Sequence, residues 1–168
     1  MAKKQPIVAI LYDFDKTLAT DDMQNFSFIP ALGMTPDEFW GATGELSAAT
    51  NMERILAYMY MMIKKTQEKG ISMTTEYLNS LGKSVVLYRG VQTWFDRINE
   101  YGKSLDVDVE HYIISSGVKE IIEGTSIAKY FKKIYACKFV YDEQTNEDIW
   151  PAMAIKKKKK TQYLFRIS

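Results

Sequence analysis

The segment ILYDFDKTLA, residues 10–19, places two acids one residue apart directly after a run of apolar side chains. That run begins at Pro6 and reads PIVAILY, which is rich in branched residues and carries no charge. Such a run is typical of a strand covered on both faces, as parallel sheets require. Residues two apart in an extended chain point to the same side, so we expect Asp13 and Asp15 to face one site while Phe14 turns toward the core.

The composition indicates one globular unit with a small insertion. The chain has 168 residues, of which 46% are apolar, enough for a core of ordinary size. A single cysteine, Cys137, leaves no internal disulfide and favours a reducing, cytoplasmic location. The first apolar run is short and ends in acids, which argues against an export signal, and no run is long enough to span a bilayer. We therefore expect no membrane partner.

The charge is concentrated in one place. The net charge is +1, and five of the 22 basic residues form the run Lys156 to Lys160, leaving 17 against 21 acids elsewhere. A nucleic-acid-binding protein more often spreads its basic residues over a face and interleaves aromatic side chains. The pattern therefore argues against nucleic acid as a partner, and polyanion binding through the lysine run is the weaker alternative.

Residues 21–85 have a different character, being rich in methionine and lacking a strand pattern. Thr35, followed by Pro36 and by Glu38, predicts a capping box and a helix that begins at Pro36. We therefore interpret residues 21–85 as a helical insert.

Two further helices are expected within this insert. Thr50 and Glu53 repeat the capping spacing, and the following helix is expected to stop at Gly70; a shorter helix ends near Gly82. The cluster YMYMM, residues 58–62, could line a substrate pocket because methionine adapts to varied apolar shapes. Packing between helices is the interpretation that we favour.

The second half of the chain alternates helices and strands. The first two expected elements are a helix, VQTWFDRINEYG, and a strand, HYIIS. A second helix, SGVKEIIEG, and a second strand, KKIYACKFVYD, are expected to follow. That strand is expected to form a hairpin, turning through DEQTN into IWPAMAI. Strand, helix and strand in succession imply right-handed crossovers and a parallel sheet. The fold class is therefore α/β with a Rossmann-like parallel sheet.

Polar residues lie where these strands are expected to end. Ligands of open parallel sheets gather at the carboxyl ends of the strands. Ser115 is expected at the end of the second strand, with Ser116 and Gly117 opening a helix whose N–H groups favour an anion. Further along, Lys160 is the lysine of its run nearest the next apolar segment, and its ammonium could neutralise charge shared between a phosphate and Asp13.

Taken together, these features resemble the phosphatases of the haloacid dehalogenase (HAD) superfamily, specifically phosphoserine-phosphatase-like members. The resemblance rests on IVAILYDFDKTL, on YIISSG, on a lysine near residue 160, on the helical insert and on the hairpin before the lysine. It implies a HAD core formed by residues 1–20 and 86–168, with residues 21–85 as a helical cap. Which of Lys156 to Lys160 is the site lysine stays open, with Lys160 as the candidate.

The resemblance also implies a role for each matching residue. Asp13 would be the nucleophile that forms an aspartyl-phosphate, and Asp15 would be the general acid and then the base. Mg2+ would be held by the Asp13 carboxylate and the Asp15 backbone carbonyl, and Lys160 would offset charge in the transition state. The implied partner is a small phosphorylated substrate. The phosphate-binding residues would be Thr17, Ser115, Ser116 and Gly117.

One part of the family pattern is missing. The family carries one or two further acids after the lysine, at the end of the next strand, whereas residues 161–168 read TQYLFRIS and contain no acid. We therefore expect a core that is incomplete at this end. In the family that next strand pairs with the first, so we expect residues 7–14 to form an apolar edge that favours self-association. The alternative interpretation is a catalytically impaired HAD-fold module without the full metal site.

Overall fold

A computed structural model describes residues 5–142, 144, 148–156, 160 and 162. In this part of the chain a four-stranded sheet has the order β1-β2-β3-β4. The strands are β1 (Ile7–Tyr12), β2 (Asp108–Val118), β3 (Phe131–Tyr141) and β4 (Asp148–Met153). β1 to β3 are parallel, and β4 runs antiparallel to β3 as the second arm of the predicted hairpin. The predicted α/β class with a parallel sheet is confirmed.

Five of the helices follow β1 and lie in the inserted segment. They are α1 (Met23–Phe26), α2 (Phe28–Ala31), α3 (Pro36–Thr50), α4 (Arg54–Lys69) and α5 (Thr75–Leu81), followed by α6 (Val91–Ser104) and, after β2, α7 (Lys119–Glu123). α4 packs against β4 and α5 packs against α7, so the inserted helices rest on the sheet layer. No helix among the described residues is long and apolar enough to cross a membrane. The division into a core and a cap stays a prediction.

The predicted signals at the ends of α3 and α4 are largely confirmed. Thr35 accepts a hydrogen bond from the Glu38 amide, the Glu38 carboxylate accepts one from the Thr35 amide, and Pro36 opens α3. α4 stops at Gly70, whose φ of 65° is the left-handed conformation that glycine adopts without strain.

The predicted capping box of Thr50 and Glu53 at the start of α4 is wrong. Thr50 is the last residue of α3 and donates its hydroxyl to the Leu46 carbonyl, and Asn51 then ends that helix with a φ of 53°. The N-cap of α4 is Glu53, whose carboxylate accepts hydrogen bonds from the amides of Ile55 and Leu56.

β1 lies at an edge of the described sheet, as the missing family motif led us to expect. It pairs with β2 alone among the described strands, and Ile7 and Val8 are 50% and 49% exposed. The expectation of cover on both faces is therefore wrong for the first half of the strand. Cover increases along β1, and Phe14, just beyond its end, is fully buried.

The buried core is continuous from the inserted helices to the sheet. Met59, Met61 and Met62 of α4 belong to it together with Ile113 of β2. The packing interpretation of the YMYMM cluster is therefore confirmed for its methionines.

Candidate active site

A tight turn after β1 holds the two acids of the DFD segment. The carbonyl of buried Phe14 accepts hydrogen bonds from the amides of Leu18 and Ala19. With Phe14 anchored in the core, the neighbouring side chains of Asp13 and Asp15 both line one cavity. The structure therefore brings the two acids to the same side of the chain.

The cavity lies at the carboxyl end of β1 and has a volume of about 670 Å³. The end of β2 and the inserted helices α3 and α4 contribute to its walls. Its lining residues are Asp13, Asp15, Lys16, Asp22, Gln24, Trp40, Thr43, Glu53, Arg54, Ile55, Tyr58, Ser116, Lys156 and Lys160.

The carboxylate of Asp15 is held in a tight, mostly buried position. One oxygen accepts a hydrogen bond of 2.9 Å from the Met23 amide. The other lies against Gly117, where an added Cβ would come within 2.8 Å of it. Burial raises the pKa of Asp15 to about 7; the charges of Asp22 and Asp13 also raise it, while the Met23 hydrogen bond and Lys160 oppose the rise. Asp15 can therefore both give and take a proton near neutral pH.

Asp13 is more open, with a side chain that is 42% exposed. Its Oδ1 accepts a hydrogen bond of 2.9 Å from the Phe14 amide, and its Oδ2 lies 2.6 Å from the Lys160 ammonium. Lys156 also lines the cavity, whereas Lys157 to Lys159 lie outside the described residues. Among the lysines that the structure describes, Lys160 is the one paired with Asp13.

The end of β2 differs from the expectation. Ser116 and Gly117 do not open a helix: β2 continues through Val118, and α7 begins at Lys119. The Gly117 amide donates to Ser115 Oγ at 2.9 Å, and the Val118 amide donates to the sulfur of Met23 at 3.2 Å. These side-chain acceptors satisfy the amides in an extended chain, so the predicted helix N-terminus is absent at this point.

The four predicted phosphate-binding residues are not equally placed. Ser116 lines the cavity, whereas Ser115 is fully buried and does not. Gly117 reaches the cavity only by packing against Asp15. Thr17 is exposed in the turn after β1 and lies outside the cavity lining.

Several cavity residues come from the insert and were not predicted. Trp40, Arg54 and Tyr58 line the cavity from α3 and α4. For Tyr58 the YMYMM cluster gave a signal, because a pocket was one of its two interpretations. Trp40 and Arg54 reach the cavity through long-range packing, for which the sequence carries no local signature.

Comparison with known proteins shows which solved structures share this fold. No protein-family model matches the chain. A HAD-family hydrolase from Salmonella enterica serovar Typhi superposes with a TM-score of 0.66 over 98% of this chain and 52% of that protein, at 16% identity. The chain has the fold of the HAD hydrolases.

Other solved structures agree with this fold. A substrate-bound phosphoserine phosphatase matches with a TM-score of 0.61, at 14% identity, over 99% of this chain and 71% of that protein. A phosphoserine phosphohydrolase-like protein from Francisella tularensis matches with a TM-score of 0.55, at 14% identity, over 87% and 64%.

One curated relative matches in sequence. It is an uncharacterized protein of Borreliella burgdorferi, 28% identical over 150 residues that cover 83% of this chain and 52% of the relative. The chain therefore spans about half the length of this relative and of the Salmonella hydrolase.

The oxygen donors of this HAD-fold site suit a hard divalent cation. Among the described residues no group of three or more acidic, histidine or cysteine side chains converges on one point. Mg2+ commonly uses one or two protein carboxylates and keeps several waters, so a large set of acids is not required. The Asp13 carboxylate, on a side chain that is 42% exposed, suits such a water-rich site.

Proposed function

We propose that this chain is a Mg2+-dependent phosphomonoester hydrolase that acts through an aspartyl-phosphate on Asp13. The observation that carries the proposal is the convergence of Asp13 and Asp15 on one cavity, with the Lys160 ammonium 2.6 Å from Asp13. A nucleophile, a group able to transfer protons and a cation are the parts that phosphoryl transfer through a covalent intermediate needs.

In the first step a carboxylate oxygen of Asp13 attacks the phosphorus of the substrate. The bond between phosphorus and the leaving oxygen breaks, and protonated Asp15 gives its proton to that oxygen. Products of this step are the free alcohol and the phosphoryl group on Asp13. The pKa of Asp15 near 7 keeps a useful protonated fraction at neutral pH.

In the second step a water molecule attacks the phosphorus of the aspartyl-phosphate. Asp15, now ionised, accepts a proton from that water, and the bond between phosphorus and the Asp13 oxygen breaks. Orthophosphate leaves, and both acids return to their starting states. One carboxyl with a pKa near neutrality thus serves both steps, which explains why two acids stand at this spacing.

Asp13 and the Asp15 carbonyl would hold Mg2+, which when bound stabilises negative charge on the phosphoryl oxygens. Lys160 contributes a positive charge on the same side: its ammonium lies 2.6 Å from Asp13 and would face a bound phosphate. Ser116 lines the cavity but its Oγ is buried, so its proposed contact with the phosphate or substrate would come from the rest of the residue.

The proposed substrate is a small phosphorylated metabolite. A cavity of about 670 Å³ is within the range of small-molecule sites. Its walls combine charged residues such as Arg54 and Lys156 with the aromatic side chains of Trp40 and Tyr58. The single, fully buried Cys137 supports a reducing, cytoplasmic setting for this reaction.

Turnover of a generic aryl phosphate with and without Mg2+ tests the proposal. We expect Mg2+-dependent release of phosphate by the wild type and a loss of at least about a thousandfold in Asp13→Asn, because the nucleophile is removed. Asp106→Asn is the matched control: Asp106 is exposed, its φ is 56°, and asparagine tolerates that conformation. Equal rates in the wild type and Asp13→Asn, or no turnover in either, would refute the proposed function.

A further inference from the structure

Two side chains donate hydrogen bonds to the carbonyl of Ser116, which lies in β2. Tyr58 of α4 donates its hydroxyl to this carbonyl at 2.7 Å, and the Cys137 thiol of β3 donates to it at 3.3 Å. The pairing of β2 with β3 is irregular between Ile114 and Val118, and the pairing with β1 ends at Ile113. The two side-chain donors therefore reach this peptide at a point where the strand pairing is irregular.

The side chain of Ser116 offers no alternative anchor. Its Oγ is buried and has no hydrogen-bond partner in the described part of the chain. The position of the residue is therefore fixed through its carbonyl, and the shorter of the two bonds to that carbonyl comes from Tyr58.

The two donors are suited to a permanent contact. Tyr58 and Cys137 are both buried, and burial raises the pKa of each, so both keep their protons over the physiological range. The Cys137 sulfur also accepts a hydrogen bond from the Ile155 amide at 3.2 Å. Ile155 immediately precedes Lys156 of the cavity wall, so one buried cluster joins three parts of that wall.

The held peptide is next to the chemistry. Ser116 lines the cavity, and the following residue, Gly117, packs against the Asp15 carboxylate. Tyr58 lines the same cavity and packs edge-on against Trp40 of α3, with ring centroids 5.9 Å apart. A shift of α4 away from β2 would therefore displace the part of the cavity wall formed by α4 relative to the part formed by β2.

We infer that Tyr58 is a positioning residue: its hydroxyl fastens the inserted helix α4 to the Ser116 carbonyl and thereby holds the α4 and β2 walls of the cavity in the geometry that substrate binding requires. The contact between α4 and β2 stands on the structure alone. Its kinetic consequence rests on the proposed function.

Cys137 provides a probe of this contact that does not depend on activity. It is the single cysteine of the chain, it is fully buried, and its thiol shares the Ser116 carbonyl with Tyr58. A thiol reagent can reach it only when the structure opens locally or globally. The rate of labelling by 5,5'-dithiobis(2-nitrobenzoic acid) therefore reports the opening of this junction.

Tyr58→Phe removes the hydroxyl and keeps the ring, while the Ser116 carbonyl keeps its bond from Cys137. The matched control is Tyr60→Phe on the same helix, because the Tyr60 hydroxyl makes no hydrogen bond within the described residues. We expect labelling to accelerate about 2- to 10-fold in Tyr58→Phe, the change in population expected for one net hydrogen bond, and to stay unchanged in Tyr60→Phe. The acceleration should depend little on low urea concentrations, since local opening exposes little surface.

The same two variants are then compared in aryl phosphate turnover. A merely structural loss lowers the folded fraction and hence the apparent kcat, whereas a displaced cavity wall raises KM. We expect KM to rise about 2- to 10-fold in Tyr58→Phe, in step with labelling, and to stay constant in Tyr60→Phe.

Each outcome of these two experiments tests a different part of the inference. Unchanged labelling in Tyr58→Phe, or equal acceleration in both variants, overturns the inference. Faster labelling with unchanged KM overturns the positioning role. If the wild type shows no turnover, the proposed function fails on that result, and the labelling comparison still decides whether Tyr58 fastens α4 to β2.

Discussion

Replacing Gly117 with alanine perturbs the packing that buries Asp15. The added Cβ would overlap the terminal methyl of Met23 and would lie 2.8 Å from the Asp15 Oδ2 and 3.0 Å from the Met23 sulfur. Ordinary contact begins near 3.4 Å, so the carboxylate oxygen must retreat by about 0.6 Å. The Met23 side chain cannot simply swing away, because it is buried and its sulfur accepts a hydrogen bond from the Val118 amide.

Overpacking of this kind costs about 1–3 kcal/mol. For a chain of this size each kcal/mol shifts Tm by about 2–4 °C, so we expect Gly117→Ala to melt about 2–12 °C below the wild type and to lose most of its turnover. Thermal unfolding followed by circular dichroism measures the shift. Gly44→Ala is the matched control: Gly44 lies inside α3 with open space around its Cβ position, so alanine should stabilise by about 1 kcal/mol. A Gly117→Ala protein that melts at or above the wild-type temperature would refute the described contact between β2 and Asp15.

Three further predictions concern stability and association. His111 is buried between Tyr12 and Asn99, and burial lowers its pKa. Because the pKa of His111 is lower in the folded protein, the unfolded chain binds the proton more readily. The free energy of unfolding should therefore fall as pH drops below about 6.5 toward the lowered pKa. Urea titrations of His111→Gln should show a smaller fall. Thr35→Ala should cost about 1 kcal/mol in the same titration by removing the α3 cap, whereas Thr35→Ser should retain most of that stability. We also propose that copies associate through the edge that β1 forms in the described part of the sheet; light scattering after size exclusion should show oligomers of the wild type and fewer in Val8→Lys, and a monomeric wild type would contradict this proposal.

Sequence patterns were sufficient where the physical cause is local. The capping box of α3 needs only Thr35, Pro36 and Glu38, and the stop of α4 needs only a glycine that tolerates positive φ. The placement of Asp13 and Asp15 followed from strand alternation and from the rule that parallel strands end at one edge.

Sequence patterns were insufficient where distant side chains decide. The pattern of Ser115 to Gly117 indicated a helix start, but the sulfur of Met23, 95 residues before Val118, accepts an amide there and β2 continues. Thr50 and Glu53 have the capping spacing, but the left-handed Asn51 separates α3 from α4 and leaves Glu53 as the cap. The contact of Tyr58 with Ser116 joins residues 58 positions apart, so a local sequence pattern could not predict it either.

The proposed mechanism requires that Asp13 carries the phosphoryl group during turnover. Acid quenching of the wild type with excess aryl phosphate and Mg2+, followed by peptide mass spectrometry, tests it most directly. We predict one added phosphoryl group on Asp13, removed by hydroxylamine and absent from Asp13→Asn. A phosphoryl group on any other residue, or turnover by Asp13→Asn at the wild-type rate, would contradict the proposed mechanism.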